Sequence, residues 1–478
     1  METKEKHFHI VLFPWLAFGH IIPFLELSKS LASKGNGDIQ ISFISTPSII
    51  KRLSPIYPPS LKSLINFLSI DLPSVDNLPA GCEATIDLKD EEQTQYLKIA
   101  YDLLQAPVEI LLKNQIKLDL IICDVINCWM PEIGAKLHIP TALFSVSYAP
   151  SLAFFGPPSE FKESNSSRSP EYLTSLPEWI PFPSSLAYRY HEAVSMNEIL
   201  NTKDATGLSA SDRLVKVIEG CNFVLLKSCT EFDGEYFNLL KDLYQKPVIS
   251  VGLLPPPAQD SLVKSIFKYP RKSSNSEMFN WLDKQQPRSV VYVSFGSEYK
   301  MSIDEIHELA FGLETSKLPF LWVLRKPGGI DESNLLPSGF EDRIRGRGFM
   351  CFGWISQVEV LAHTAIGGSL CHCGSSSISE NLFFGHSQIL MPMIVDQGIN
   401  ARFLVEKGLG FEVERNEDGS FTRDAVANAM RIVMVEPEGQ QLRQKTTEMS
   451  QSIFSNHDLH GGYINKFISS LGQLLSKE

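Results

Sequence analysis

Short apolar runs alternate with longer amphipathic segments along most of the chain. The run HFHIVLFPW (7–15) predicts a first strand, and the amphipathic segment that begins near His20 predicts the helix after it. Further strands are predicted at IQISFIST, LDLIICD and TALFSVS. This β–α alternation is typical of a parallel sheet covered by helices.

The same alternation starts again in the second half. A second set of strands is predicted at SVVYVSFGS (289–297), PFLWVLRK, residues 348–353, GGSLCHCG and QILMPMI. Between the two sets, residues 253–277 are rich in proline, serine and charge, as linkers are. We therefore predict two doubly wound α/β domains, at 1–252 and 278–455, joined by this linker.

Residues 456–478 predict one more helix. Four apolar positions recur every four residues and so share one face: Leu459, Tyr463, Phe467 and Leu471. Because such a face needs a partner, we predict that this helix packs back on the first domain.

Composition places the 478-residue chain among ordinary globular proteins. Hydrophobic residues make up 43%, charged residues 21%, and the formal net charge is −12, which argues against a disordered chain and against a nucleic-acid binder. No run reaches the roughly 18 apolar residues of a membrane span, and the N-terminal run lacks a signal cleavage site. We predict a monomeric cytoplasmic protein without a transmembrane segment.

The eight cysteines contain no Cys-x-x-Cys pair, so we expect reduced thiols rather than a disulfide framework. Cys371-His372-Cys373 has metal-binding residue types. Side chains alternate along a strand, however, and no second ligand pair follows, so we predict no metal site.

Residues 354–397 carry the clearest candidate chemistry. An aromatic residue that can stack on a base opens the segment, and a turn rich in glycine and serine follows, whose backbone N–H groups can hold a diphosphate. The carboxylate and carboxamide at its end suit sugar hydroxyls. This order of parts indicates a site for a nucleotide sugar.

The segment resembles the signature box of the plant family 1 UDP-glycosyltransferases, and the resemblance spans essentially the whole chain. It implies the GT-B fold, in which two Rossmann-like domains face each other across a cleft. It also implies transfer of a sugar from a UDP-sugar to a small-molecule acceptor, with no metal ion and no cofactor beyond the UDP-sugar itself.

The family pattern assigns roles to residues of this box. The nucleoside side comprises Trp354, which stacks on uracil, with Ile355, Gln357 and the ribose-binding Glu380. The phosphate side comprises Ser297, His372, Gly374, Ser375, Ser376 and Ser377, aided by the dipole of a helix that starts near Ser377. Asp396 and Gln397 bind the sugar hydroxyls.

The box departs from the family pattern in one place. After His-Cys-Gly the family has Trp-Asn-Ser, whereas this chain has Ser375-Ser376-Ser377. The change removes a large side chain near the donor sugar, although backbone amides can still bind the phosphates. Gln397 favours UDP-glucose, while Ser375 resembles members that extend sugar chains, among which glucosyl and rhamnosyl donors both occur.

His20 and Asp124 are the catalytic candidates. His20 follows the first strand, at the sheet edge where open α/β sheets bind ligands, and histidine can take a proton near neutral pH. A capping or merely exposed histidine explains the same position, and a strand-ending Asp124 is often only a cap. The resemblance implies that His20 is the general base and that Asp124 orients its ring.

Segments such as SLAFFGPPS and WIPFPSSLAYRYHE resemble the branch-forming subgroup, which adds a sugar to a sugar already on a terpenoid or flavonoid. Aromatic residues in and near them are candidates for an apolar acceptor site: Trp15, Tyr148, Phe154 and Phe155, with Trp179, Phe182 and Tyr188. We predict inverting transfer of glucose to such a glycoside, with UDP-rhamnose as the alternative donor.

Three other functions are alternatives for a chain of this kind. A dinucleotide oxidoreductase requires Gly-x-Gly-x-x-Gly in the first turn, which has Gly19-His20 instead. A metal-dependent glycosyltransferase requires an Asp-x-Asp motif, and the chain has none. A catalytically impaired protein that binds UDP-sugars stays open because of the altered box, although the presence of His20 and Asp124 argues against it.

Overall fold

The computed structural model describes residues 7–54, 57, 59–90, 92–163, 169–256, 273–325, 335–353 and 355–476. The chain divides into two compact units. The first unit comprises residues 1–168, 197–254 and 458–478, and the second comprises residues 169–196 and 255–457. Most of the predicted linker, residues 257–272, lies outside the described residues.

The first unit contains a seven-stranded parallel sheet. Its strands are β1 (Phe8–Phe13), β2 (Ile39–Ser45), β3 (Ile65–Ser69), β4 (Leu120–Cys123), β5 (Thr141–Ser145), β6 (Phe223–Leu226) and β7 (Val248–Ser250). They are ordered β3-β2-β1-β4-β5-β6-β7. The order changes direction between β1 and β4, which defines a doubly wound sheet.

Helices of the first unit connect these strands. They span Phe18–Lys34, Pro47–Leu53, Gln93–Asp102, Gln105–Lys113, Met130–Leu137, Ala149–Phe155, Pro158–Glu163, Ala210–Gly220, Thr230–Tyr244 and His457–Leu474. The helix Tyr190–Asn201 crosses from the second unit into the first.

The second unit contains a six-stranded parallel sheet. Its strands are β8 (Val290–Ser294), β9 (Phe320–Leu324), β10 (Gly348–Phe352), β11 (Ile366–Cys371), β12 (Ser387–Leu390) and β13 (Gly410–Glu412), ordered β10-β9-β8-β11-β12-β13. Its helices span Ser273–Leu282, Ile303–Ser316, Phe340–Arg343, Gln357–Leu361, Ser375–Phe383, Gln397–Glu406, Arg423–Met434 and Gln440–Met449.

Most strands of the two sheets are apolar on both faces. In β4, whose sequence is Leu-Ile-Ile-Cys, every residue is buried, which is what helices on both faces of a parallel sheet require. The predicted fold class of two Rossmann-like doubly wound domains is confirmed. No helix among the described residues is long and apolar enough to cross a membrane.

The C-terminal helix His457–Leu474 belongs to the first unit. Phe467 and Leu471 are buried on its apolar face, and the Phe467 ring lies 6.4 Å from that of Phe223 in β6. The hydroxyl of Tyr463 donates to Glu231 at 2.7 Å. Leu459 is only partly buried, because His460 and Ile464 occupy the more buried positions.

Residues 169–196 differ from the predicted division of the chain. The prediction gives 1–252 to a single domain, whereas the structure places this segment with the second unit. The physical reason lies in its contacts, since Ser184 and Ser185 both bond to Glu406 of the second unit.

Candidate active site

The carboxyl ends of β1 and β4 carry the first group of candidate residues. Ligands bind open α/β sheets where the strand order changes direction, and that point lies between these two strands. His20 lies in the first turn of the helix Phe18–Lys34, which follows β1, and Asp124 directly follows β4. Phe13 pairs in register with Cys123, so the chain leaves both strands at the same level.

Asp124 hydrogen-bonds to the His20 ring, with 2.9 Å between its Oδ2 and Nδ1 of His20. The side chain of Asp124 is 2% exposed and that of His20 is 26% exposed. The carboxylate also accepts bonds from the backbone N–H groups of Trp15 (3.0 Å) and Val125 (2.6 Å), which stabilise its buried charge. The bond to Nδ1 places the ring proton there, so that Nε2 is the basic nitrogen.

Two residues that the sequence analysis missed support this pair. Asn127 accepts a bond from the Asp124 backbone N–H (2.7 Å) and donates to the Phe13 carbonyl (2.9 Å), thereby connecting the ends of β4 and β1. Tyr101 donates to the Pro14 carbonyl at 2.8 Å. Burial, reinforced by the charge of Asp124, raises the pKa of Tyr101 well above its usual value, so it stays a donor. For Asn127, its position three residues after Asp124 was the only available signal.

Arg213 anchors the loop that follows Asp124. Its side chain is 1% exposed and donates to Asp102 at 2.5 Å and to the Ile126 carbonyl at 2.7 Å. The indole of Trp129 donates to the same aspartate at 3.1 Å. A buried guanidinium paired in this way fixes the backbone around Asn127, and no sequence motif marks it.

The predicted acceptor aromatics are all buried or nearly so. Tyr148 is fully buried and packs edge-on against Phe232, with 5.4 Å between ring centroids, so it packs in the core, and its acceptor role stays a prediction. Phe154 is 2% exposed, Phe155 is 9% exposed, and Trp15, at 5%, packs edge-on against Tyr101. Burial explains this result, because large rings fill a core more often than they line a surface.

In the second unit the carboxyl ends of β8 and β11 form an equivalent point, where the strand order again changes direction. His372 directly follows β11. Its ring is enclosed by Gly296 and Gly374, since a Cβ on either glycine would lie within 2.7 Å of Nε2. Burial lowers the pKa of His372 to about 4, although the Ser294 backbone partly opposes the shift, so the ring is neutral at pH 7.

The helix Ser375–Phe383 begins at this turn, with Gly374 as its N-cap. It starts two residues before the predicted Ser377, so Ser375 and Ser376 lie in its first turn. The unpaired N–H groups of a helix N-terminus attract anions, which suits a phosphate. Asn400 secures the turn by donating to the carbonyl of Cys373, whose left-handed φ is 63°.

Gln357 and Glu380 lie close together, as a shared nucleoside role requires. Nε2 of Gln357 donates to a Glu380 oxygen at 2.6 Å, and Oε1 of Gln357 accepts from the Tyr292 hydroxyl at 3.1 Å. Burial raises the pKa of Tyr292 well above its usual value, so the hydroxyl stays protonated. Ile355 packs on the adjacent apolar cluster, while Trp354 lies outside the described residues.

Ser297 lies three residues beyond β8. Its hydroxyl donates to Glu298 at 2.8 Å, and its carbonyl accepts a bond from Arg325. Ser297 therefore lies at the same sheet edge as His372, in a segment held by its neighbours.

Asp396 and Gln397 lie at the start of the helix Gln397–Glu406. Oε1 of Gln397 accepts bonds from the backbone N–H groups of Met393 (2.9 Å) and Ile394 (3.0 Å). The interpretation that Gln397 bridges two sugar hydroxyls with its carbonyl and its amide is therefore corrected. The carbonyl oxygen is used by the preceding loop, so only the amide nitrogen stays available for the predicted contact with the sugar.

All eight cysteines are free thiols. Burial raises the pKa of Cys373 far above its usual value, which is the behaviour of a packed thiol. Within the described parts of the chain, no three His, Cys, Asp or Glu side chains are grouped so that they could hold a metal ion.

Comparison with known proteins assigns the chain to a family. A model described as UDP-glucoronosyl and UDP-glucosyl transferase matches residues 260–446. Over 470 residues the chain is 43% identical to UDP-glycosyltransferase 91C1 of Arabidopsis thaliana, which covers 98% of this chain and 97% of that protein. The chain belongs to the UDP-glycosyltransferase family. This glycosyltransferase is also 38% identical over 474 residues to soyasaponin III rhamnosyltransferase of Glycine max, covering 98% and 96% of the two chains.

A solved structure supports the same fold. The glycosyltransferase is similar to Phytolacca americana UGT2 complexed with UDP-2fluoro-glucose and pterostilbene, with a TM-score of 0.76 and 24% identity over 98% of this chain and 100% of that one. The predicted GT-B fold is confirmed. The enzyme is thus a UDP-glycosyltransferase that acts on plant metabolites.

Proposed function

We propose that the enzyme transfers glucose from UDP-glucose, with inversion, to a sugar hydroxyl of a terpenoid or flavonoid glycoside. The bond between His20 and Asp124 carries the catalytic part of this proposal. It holds the ring through Nδ1 and makes Nε2 the proton acceptor, which is the arrangement that a general base requires.

The reaction balances without a metal ion or a further cofactor. Nε2 of His20 takes the proton of the acceptor hydroxyl while the hydroxyl oxygen forms a bond to the anomeric carbon. The bond between that carbon and the phosphate oxygen breaks, and UDP leaves with the electron pair. The N-terminus of the helix Ser375–Phe383 stabilises the charge that develops on UDP. Asp124 stabilises the imidazolium.

The choice of glucose rests on two neighbouring residues. The carboxylate of Asp396 can accept a bond from one sugar hydroxyl while the amide nitrogen of Gln397 donates to the next, a pattern suited to a fully hydroxylated hexose. The second candidate donor is UDP-rhamnose, which the name of the Glycine max relative favours. A glycoside acceptor is favoured by Ser375, which replaces the bulkier residue of the usual box.

A panel assay tests donor and acceptor together. The purified enzyme is incubated with UDP-glucose, UDP-rhamnose, UDP-xylose and UDP-galactose against aglycones and their monoglucosides. We expect the highest turnover with UDP-glucose and a monoglucoside. Transfer to aglycones alone would contradict the branch-forming proposal. A strict requirement for UDP-rhamnose would contradict the proposal that UDP-glucose is the donor.

The catalytic assignment has its own test. His20→Ala should lower turnover by roughly 10²- to 10⁴-fold, the usual contribution of general-base catalysis. His7→Ala, at a histidine whose side chain is 69% exposed, is the matched control and should retain full activity. More than half of the wild-type turnover in His20→Ala would contradict the mechanism, and so would loss of the wild-type activity in EDTA. Absence of UDP release from the wild-type enzyme with every donor would favour the impaired-binder alternative.

We further propose that the enzyme is a cytoplasmic monomer. Its partners are the UDP-sugar and an apolar or glycosylated small molecule, and it binds no nucleic acid. Size-exclusion chromatography with light scattering checks the monomer, and a dimeric mass would contradict it.

A further inference from the structure

The loop Pro392–Gln397 carries the proposed sugar-binding residues and contains a strained position. Val395 has a φ of 55°, in the left-handed region that β-branched residues rarely adopt. Such conformations cost free energy and persist only where surrounding contacts hold them. Because Asp396 directly follows Val395, the backbone angle at Val395 determines where the Asp396 carboxylate is directed.

Tyr188 bonds to this strained residue from a segment 207 positions earlier in the chain. Its hydroxyl donates to the Val395 carbonyl at 3.0 Å. Tyr188 is 3% exposed, and burial, followed by the charge of Asp396, raises its pKa well above the usual value. The hydroxyl therefore stays protonated.

The start of the loop is secured separately. Arg415 donates to the Pro392 carbonyl at 2.7 Å, and Oε1 of Gln397 accepts the two backbone bonds within the loop. These contacts fix the loop on either side of Val395. The bond from Tyr188 acts on Val395 itself.

The segment that carries Tyr188 is anchored firmly. Arg402 pairs with Glu192 at 2.5 Å and with Glu412 at 2.6 Å, and all three side chains are at most 12% exposed. A Cβ on Gly398 would lie 2.7 Å from Glu192 and 3.0 Å from the Tyr188 ring. The absence of a side chain at Gly398 is thus what lets this segment approach the loop.

We propose that Tyr188 is a positioning residue for donor-sugar selection, which holds Val395 in its left-handed conformation and so directs Asp396 and Gln397 at the sugar. This inference rests on the proposed function of those two residues. It makes the segment 169–196 a determinant of the sugar that the enzyme transfers, although the segment lies outside the signature box. The affinity for UDP, which lacks the sugar, should not change when Tyr188 is substituted.

Tyr188→Phe tests this proposal by removing only the hydroxyl. We expect the KM for the preferred UDP-sugar to rise about 3- to 10-fold, as loss of one hydrogen bond implies, and the preference between UDP-glucose and UDP-galactose to shrink. The dissociation constant of UDP and the thermal unfolding midpoint should change little. Tyr190→Phe is the matched control, since Tyr190 is 55% exposed, and its KM values should equal those of the wild type.

A second background separates positioning from packing. Asn adopts the left-handed region far more readily than valine, so Val395→Asn should relieve the strain. In that background Tyr188→Phe should raise the KM by less than half of the factor seen in the wild type. An equal factor in both backgrounds, or an equal weakening of UDP and UDP-sugar binding by Tyr188→Phe, would overturn the proposal.

Asp396→Asn distinguishes this inference from the function on which it rests. If Asp396→Asn raises the KM for the UDP-sugar but Tyr188→Phe does not, the positioning role fails and the donor site stands. If Asp396→Asn leaves the KM unchanged, the proposed donor site itself fails.

Discussion

Nδ1 of His20 lies 2.9 Å from a carboxylate oxygen of Asp124, although 104 residues separate the two along the chain. The parallel pairing of β1 with β4 creates this proximity, because both residues follow the carboxyl end of their strand. The same carboxylate holds the Trp15 backbone, so it fixes both the ring and the loop beside it.

Asp124→Asn should lower turnover by roughly 10²- to 10⁴-fold while UDP binding stays unchanged. A carboxamide can hold the ring but cannot neutralise the imidazolium that forms during proton transfer. The measurements are steady-state kinetics and calorimetric titration with UDP. Weaker UDP binding with intact turnover would instead assign Asp124 to the donor site.

Glu380→Gln should weaken the binding of UDP and of the UDP-sugar equally, by about 10- to 100-fold, with a small effect on turnover. The physical reason is that hydrogen bonds to a charged group contribute roughly 1.5–3 kcal/mol. Tyr292→Phe, which removes only the bond to Gln357, should have a smaller effect in the same direction. If Glu380→Gln weakens binding of the UDP-sugar but not of UDP, Glu380 contacts the sugar rather than the ribose.

Gly374→Ala should reduce UDP affinity at least about tenfold and destabilise the protein by about 1–3 kcal/mol, because the new Cβ would lie 2.6 Å from the His372 ring. Gly462→Ala is the control, since no atom beyond its chain neighbours and the adjacent backbone of its own helix lies within 4 Å of its Cβ position. Its stability should rise slightly because alanine favours helices. Calorimetry with UDP and thermal unfolding measure both effects, and unchanged UDP affinity in Gly374→Ala would contradict the assignment of this turn.

Stability should fall as the pH is lowered from about 6.5 towards 4. His386 is 2% exposed and burial lowers its pKa to about 4, whereas an unfolded histidine has a pKa near 6.5. The unfolded state therefore binds more protons in this window. The contribution of neutral His386 to the free energy of unfolding is complete above about pH 6.5 and is lost as the pH falls from about 6.5 towards 4.

The expected slope is at most about 1.4 kcal/mol per pH unit for His386, and urea unfolding midpoints between pH 7.5 and 4.5 measure it. His386→Asn removes this titration and should make the profile less steep, even though it lowers the stability at pH 7. A similar contribution persists from His372, whose pKa burial also lowers to about 4. An equally steep profile in this variant would assign the pH dependence to other groups.

The sequence analysis missed four strands of three to five residues: β3, β6, β7 and β13. Short apolar runs are hard to distinguish from apolar helix segments, and β4 and β12, which have four residues each, were predicted because longer apolar runs surround them. The longer strands β1, β2 and β11 were predicted with small errors at their ends. Tertiary pairing with a longer neighbour, rather than intrinsic pattern, makes the short strands form.

The candidate site was predicted where residue type and strand end coincide. His20 and Asp124 each follow a predicted strand, so local pattern alone places them at the edge of a sheet. His372 lies inside the predicted strand GGSLCHCG, and its phosphate role comes only from the family resemblance. Asn127 and Tyr101 were missed, because a buried amide and a buried hydroxyl have no distinctive local pattern. The full burial of Tyr148 was not predicted, because residue type alone does not distinguish an aromatic ring that lines a site from one that packs in the core.

The sequence by itself determined the two parallel sheets and the catalytic candidates at the carboxyl ends of β1 and β4. The order of the strands within each sheet came from the tertiary structure. The sheets and the ends of their strands depend on hydrophobic periodicity, which is local and can be observed in one sequence without an alignment. Only the tertiary structure decided that the carbonyl of Gln397 is used by its own loop and that Tyr188 holds Val395. Such contacts depend on which distant backbone atoms come within about 3 Å of a side chain, and no periodicity along the chain encodes that distance.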